Sequence, residues 1–214
     1  MRILELEISN YFWFIIFLIH SLKHQGICTT IKIFLIGLIY GFLCESYGVW
    51  SGSFSENGYL IYISHKLAPL ATIIGWVIFY YFTFYLTENF VNFFYKIKPF
   101  QFFKFPIFKS ILSGIIALSY DLFLDPVACY AKWWIWSSKY KNFFLGVPLI
   151  NFVAWFFAVS IWAYFYWKIN ELNLSEKTKI IILLISVPFA AFIAGSLTFG
   201  FMKFVNTLEF YLPK

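Results

Sequence analysis

Three carboxylic acids stand where charge is expensive. Asp121 and Asp125 lie four apart in YDLFLDPVACYAKWWIW (residues 120–136), and Glu45 closes the apolar run IKIFLIGLIYGFLCE (residues 31–45). An ionised carboxylate is costly in such surroundings and marks a functional site by default. A carboxyl in a low-dielectric pocket keeps its proton more readily and can act as a general acid toward a weak base. The chain also carries 30 Phe, 15 Tyr and 9 Trp among 214 residues, and aromatic faces stabilise cations. Apolar walls, a protonated acid and aromatic rings together suit protonation of an alkene. There is no H-E-x-x-H, Cys cluster, Gly-rich phosphate loop or nucleophile elbow to suggest other chemistry.

Spacing indicates how the acids are presented. Gly37, Gly41 and Glu45 are spaced by four, as are Ser113, Ala117, Asp121 and Asp125, so each set forms one helical face. Small residues let membrane helices approach closely, so both stripes are expected to face the interior of a bundle. Six segments are apolar and long enough to count as spans, given that about 20 residues cross a bilayer. They run over Ile8–Leu22, Ile31–Ser46, Leu67–Leu86, Ile107–Leu124, Val147–Trp167 and Lys179–Val205. Spans two and four point the same way, which puts Glu45, Asp121 and Asp125 on one side of the membrane, with His65 and Asn151. Glu56 and Glu88 read as solvated loop residues. Pro69, Pro106 and Pro148 fall at span starts, where a missing N–H costs least. Pro188 predicts a kink or break in span six, and Pro126 predicts that Asp125 leaves the helical stripe to face the connector.

Composition sets the class. With 62% hydrophobic and 12% charged residues and a mean hydropathy of +0.78, the chain reads as an all-α, polytopic membrane helix bundle. About six transmembrane helices (five to seven) are expected, with interfacial helical connectors, as one domain over residues 1–214. The connectors 88–105 and 127–141 mix aromatics with Lys, as interfacial segments do. Glu5 and Glu7 precede the first apolar run, which reads as a membrane helix and not a cleaved signal. Cys28, Cys44 and Cys129 form no CxxC pair and read as small apolar residues. The net charge of +6 comes from scattered basic residues suited to lipid headgroups; no clustered face for nucleic acid is visible. The loops after spans one, three and five hold nine of the sixteen basic residues, a slight excess that favours the N-terminus outside.

These motifs resemble a known family. ESYGVWSGSFSENGYLIY (Glu45–Tyr62) is similar to an E-x-x-G-x-x-x-G…G-x-Y-x-Y segment of the integral-membrane carotenoid 1,2-hydratases, a carotenoid biosynthesis family that includes bisanhydrobacterioruberin-type hydratases. DLFLDPVACYAKWWIW followed by GVPLINFVAW (Gly146–Trp155) resembles that family's D-L-x-x-D-P…G-x-W-x-W…G-V-P-x-x-N-x-x-G-W block. The likeness runs over about three fifths of the chain. Lys132 and Ala154 stand where the pattern has Gly, exchanges that bear on pocket shape.

The resemblance implies hydration of the terminal C1–C2 double bond of an acyclic carotenoid or other long isoprenoid lipid, with water as co-substrate and neither cofactor nor metal. A carboxylic acid would protonate C2, leaving a tertiary cation at C1 to which water adds. Asp121 or Asp125 would be the donor and Glu45 would orient or deprotonate the water. Asn151 and Tyr59 would support by hydrogen bonds, and Trp134, Trp136 and Trp155 would line the cation site. Trp133 belongs to the same Trp-rich wall, either as substrate contact or as an anchor among membrane lipids. Other classes remain open: a proton-initiated terpene cyclase, which would keep water from the cation; a prenyltransferase, which would need paired Asp-rich motifs where one D-x-x-x-D is present; and a proton-coupled carrier.

Overall fold

The computed structural model describes residues 3–63 and 67–211; His65, grouped above with the acids, lies outside the described residues. Among the described residues six helices are long and apolar enough to cross a membrane. They are α1 (Ile3–His24), α2 (Ile27–Trp50, with a π-helical turn at Ile31–Leu35), α3 (Leu70–Phe94), α4 (Pro106–Tyr130), α5 (Leu149–Asn170) and α6 (Glu176–Tyr211). The protein is an all-α polytopic bundle, and its six helices fit a multi-pass membrane protein. Pro69 and Pro148 take extended conformations just before α3 and α5, and Pro106 opens α4, all positions where no helical hydrogen bond is lost.

Pro126 behaves differently from the sequence expectation, and of the kink or break expected at Pro188 the break does not occur. Helix α4 continues through Pro126 to Tyr130, so Asp125 stays on its stripe, and α6 continues through Pro188 without a break. A proline inside a helix costs about 3 kcal/mol. Unwinding within a bilayer would instead strand several backbone polar groups, each at a cost of several kcal/mol. The 88–105 connector also differs. Helix α3 runs on to Phe94, so Glu88 lies on a membrane helix and pairs with Lys109 at 3.2 Å, and only Lys98–Lys104 forms a separate 3-10 helix.

Close packing follows the small residues. A Cβ added at Gly41 on α2 would lie 2.7 Å from Cβ of Trp76 on α3, and one at Gly37 would lie 3.3 Å from the Tyr80 ring. A Cβ at Gly114 on α4 would collide with Ser160 Oγ and Phe156 of α5. Ser113 Oγ meets Thr87 Oγ1 at 2.9 Å, tying α4 to α3. In the core Tyr40 stacks on Trp162 at 4.9 Å, and its hydroxyl donates to the Ala158 carbonyl at 2.9 Å. At the opposite end of the bundle the buried Lys32 pairs with Glu176 at 2.9 Å and donates to Asn170 Oδ1, clamping α2 to the α5–α6 turn.

The connectors over the acid-bearing end are short strands and turns, not helices. β1 (Phe54–Ser55), from the α2–α3 connector, pairs antiparallel with β2 (Ile135–Trp136), from the α4–α5 connector. β3 (Asn142–Phe144) pairs with β4 (Val147–Pro148) immediately before α5. Lys132 has φ 58°, in the left-handed region that glycine occupies without strain. That conformation accounts for the glycine expected there.

Candidate active site

A cavity of about 910 Å³ opens beneath these connectors, near the upper end of the range for small-molecule sites. Its walls come from all six helices and from the connectors: Leu6 and Asn10 of α1, Glu45 of α2, Thr72 and Trp76 of α3, Asp125 of α4, Asn151 and Trp155 of α5, and Pro188 to Phe199 of α6. The α6 wall is a face of small residues, Ala191, Ala194, Gly195 and Thr198, recurring at helical spacing. From Ala191 to Thr198 it runs about 10 Å along the axis at 1.5 Å per residue. Exposed Tyr47, Phe192 and Phe199 flank the cavity where it reaches the surface between α2 and α6.

Asp125 and Asp121 sit one turn apart on α4 and share one amide. Asn151, in the first turn of α5, donates through Nδ2 to Asp121 Oδ2 at 2.8 Å and to Asp125 Oδ2 at 2.5 Å. Among the described residues the other oxygen of each carboxyl, Oδ1, has no hydrogen-bond partner. Asp125 lines the cavity, whereas Asp121 is fully buried behind it and does not. None of the ion pairs among the described residues involves either group.

Glu45 reaches the same cavity from α2. Its Oε2 accepts the indole N–H of Trp76 at 2.6 Å. That indole stacks on Trp155 at 4.0 Å, with the planes 7° apart. Gly41, one turn before Glu45, is what lets α3 come close enough for this bond. The acid is therefore aimed by a ring that is itself held in place by another ring. Trp133, Trp134 and Trp136 descend from the α4–α5 connector onto the cavity, with Trp136 packed edge-on against Phe54 at 5.0 Å across the β1–β2 pair. The indole N–H groups of Trp133 and Trp136 are buried without hydrogen-bond partners among the described residues.

Tyr59 stands behind the cavity wall, against Trp133. It is buried in a small cluster with Leu6, Ala71, Ala128 and Trp133, does not itself line the cavity, and its hydroxyl has no hydrogen-bond partner among the described residues. Burial, and then the neighbouring Glu56 carboxyl, push its phenol above the usual range. Glu56 overturns the reading as a solvated loop residue, since it is only 5% exposed. Its segment is folded under: the Tyr62 hydroxyl donates to the Glu56 carbonyl at 3.0 Å, and the buried Glu7 of α1 accepts the Leu60 N–H at 3.1 Å. Sequence alone does not point to Trp76 as a site residue or to Glu56 as a buried one. Gly41 four before Glu45 signals a close neighbour without saying which helix supplies it, and SENG reads as a turn whether buried or not.

Comparison with protein-family models then gives a match over residues 8–210 to the carotenoid biosynthesis proteins. The chain belongs to this family. No curated protein and no solved structure matches it. Membership gives the protein a role in carotenoid biosynthesis, and for such a protein the cavity has suitable features. It is apolar, walled by indoles, opens among lipid-facing aromatics and carries acids only at the connector end.

Proposed function

We propose that the protein is a carotenoid hydratase that adds water across the terminal C1–C2 double bond of an acyclic carotenoid end. The observation that carries this reading is that Asp125 and Glu45, from different helices, line one Trp-walled cavity, and no described ion pair supplies either with a cation. Several carboxylates cannot all stay charged cheaply in apolar surroundings, so one of them is available as an acid.

The Asp125 O–H gives its proton to C2, and the π electrons form the new C–H bond. The tertiary cation left at C1 lies among the indole faces, which stabilise it. Water held by Glu45 adds through oxygen to C1, and its extra proton passes to the Glu45 carboxylate. Asn151 and Asp121 hold Asp125 in place, and the stacked Trp76 and Trp155 hold Glu45.

Expression in cells that accumulate lycopene, an acyclic carotenoid with unmodified ends, tests the reading. The expected product is heavier by one water per reacted end, and its oxygen carries label from heavy-oxygen water and none from labelled dioxygen. A product of unchanged mass would indicate cyclisation and overturn the proposal.

A further inference from the structure

A carotenoid is longer than the cavity that receives its end. The α6 wall, from Pro188 to Phe199, covers about 16 Å at 1.5 Å per residue. An extended carotenoid is about as long as the hydrocarbon core of a bilayer is thick, about 30 Å. With one end at the acids, much of the chain must lie outside the protein. The acid end is marked by Asp125, which lines the cavity, is only 2% exposed and has no hydrogen-bond partner at Oδ1 among the described residues. The way out is marked by exposure. The large apolar wall residues that are exposed are Leu43 and Tyr47 of α2 and Phe192 and Phe199 of α6, so the cavity reaches lipid between these two helices. Gly195 stands in this opening. It lines the cavity half-buried, within about one turn of both Phe192 and Phe199. A Cβ built on it meets nothing within 4 Å among the described residues. Gly41 and Gly114 differ, since a Cβ at either would collide with a neighbouring helix, and their smallness serves packing. Gly195 meets no helix that requires it, and glycine is a poor helix former. The fold therefore gains nothing evident from its missing side chain.

We propose that Gly195 forms the notch through which the polyene of a bound carotenoid passes from the cavity into the lipid, so that the protein encloses one end of its substrate and leaves the rest in the bilayer. The inference rests on the hydration reading above for what happens at the enclosed end, and on family membership for the polyene itself. Beside the notch Thr198 ties its hydroxyl back to the Ala194 carbonyl at 2.8 Å, which leaves that part of the wall apolar. Tyr47 and Phe199 meet edge-on at 6.5 Å and bound the opening, and aromatic rings offer a conjugated chain large apolar contact. Gly195 meets the chain away from the reacting carbons, so it selects what can enter and takes no part in the chemistry. A larger side chain there would occupy the space the polyene needs.

The test compares two glycines on one helix. Gly200 also has nothing within 4 Å of a built Cβ, but it is exposed and does not line the cavity. Lycopene is achiral and gives no circular dichroism when free in lipid; held by a protein it acquires bands in the visible. With the purified full chain in lipid nanodiscs, wild type and G200L should show these bands and form hydrated product at the same rate. G195L should lose both tenfold or more while melting no lower than wild type, because Leu is a better helix former than Gly. G195V should show the same losses and carries the comparison if G195L does not fold. Either Gly195 variant matching wild type in both readouts, or G200L losing as much as G195L, would overturn the notch. So would wild-type protein that forms hydrated product without the dichroism bands. Bands that G195L abolishes, in a wild-type protein that yields no hydrated product, would support the notch and sink hydration alone. Neither bands nor product from wild type would overturn both.

Discussion

Asp121 and Asp125 differ in exposure to the cavity even though they share the Asn151 amide. Only Asp125 lines the cavity, so the two are not interchangeable. D125N should lower hydrated product at least a hundredfold, the usual loss when a general acid is removed. D121N should leave product measurable, because it perturbs the acid only through the shared amide; equal losses in quantitative pigment analysis would contradict this assignment. W76F keeps the ring stacked on Trp155 but deletes the N–H that Glu45 accepts. A lost hydrogen bond to a charged group is worth about 1.5–3 kcal/mol. Turnover should therefore fall by roughly tenfold to a hundredfold, with carotenoid binding, read by absorbance, unchanged. At this scale the sequence was partly legible. The two stripes place Glu45, Asp121 and Asp125 on one side because helical spacing and alternating spans suffice for that inference. The rank of the two aspartates was not legible, since it depends on which neighbour stands in front. Nor was the burial of Glu56, which comes from distant contacts around Tyr62 and Glu7.

Helices were the most legible elements because long apolar runs have few alternatives in a bilayer. The structure lengthens each of them and passes through Pro126 and Pro188, where a rule learned from water-exposed helices yields to the cost of bare backbone in lipid. The connectors were least legible: two-residue strands such as Phe54–Ser55 and Ile135–Trp136 have no period to read and exist only because they meet each other. Gly114 offers an element-scale test, since any side chain there meets Ser160 and Phe156 at the α4–α5 contact. G114V should destabilise the protein by about 1–3 kcal/mol, the usual cost of overpacking, seen as a lower melting temperature in detergent. Because α4 carries Asp125 and α5 carries Asn151, product per folded protein should fall too. G114V melting and turning over like wild type would contradict the packing argument.

Across the whole molecule, polar groups divide between two ends. One end gathers Glu45, Glu56, Asp121 and Asp125, and at the other Glu176 pairs with Lys32 at 2.9 Å and with Lys179 at 3.1 Å. The cavity joins the acid end to the lipid-facing surface between α2 and α6, where the small-residue face of α6 leaves room for a long apolar chain. The β1–β2 pair contributes Phe54 and Trp136 to the connector end of the cavity, and an entrance from the lipid side bears on how the rate depends on concentration. A substrate arriving sideways from the bilayer is supplied in two dimensions. Turnover should follow the mole fraction of carotenoid in the lipid, with little dependence on its amount per volume of suspension. Diluting vesicles with buffer should leave the rate per protein unchanged, and diluting the carotenoid with added phospholipid should lower it in proportion. On the proposed reading the membrane would serve as the reaction solvent, and its lipid-to-pigment ratio would take the place of molarity.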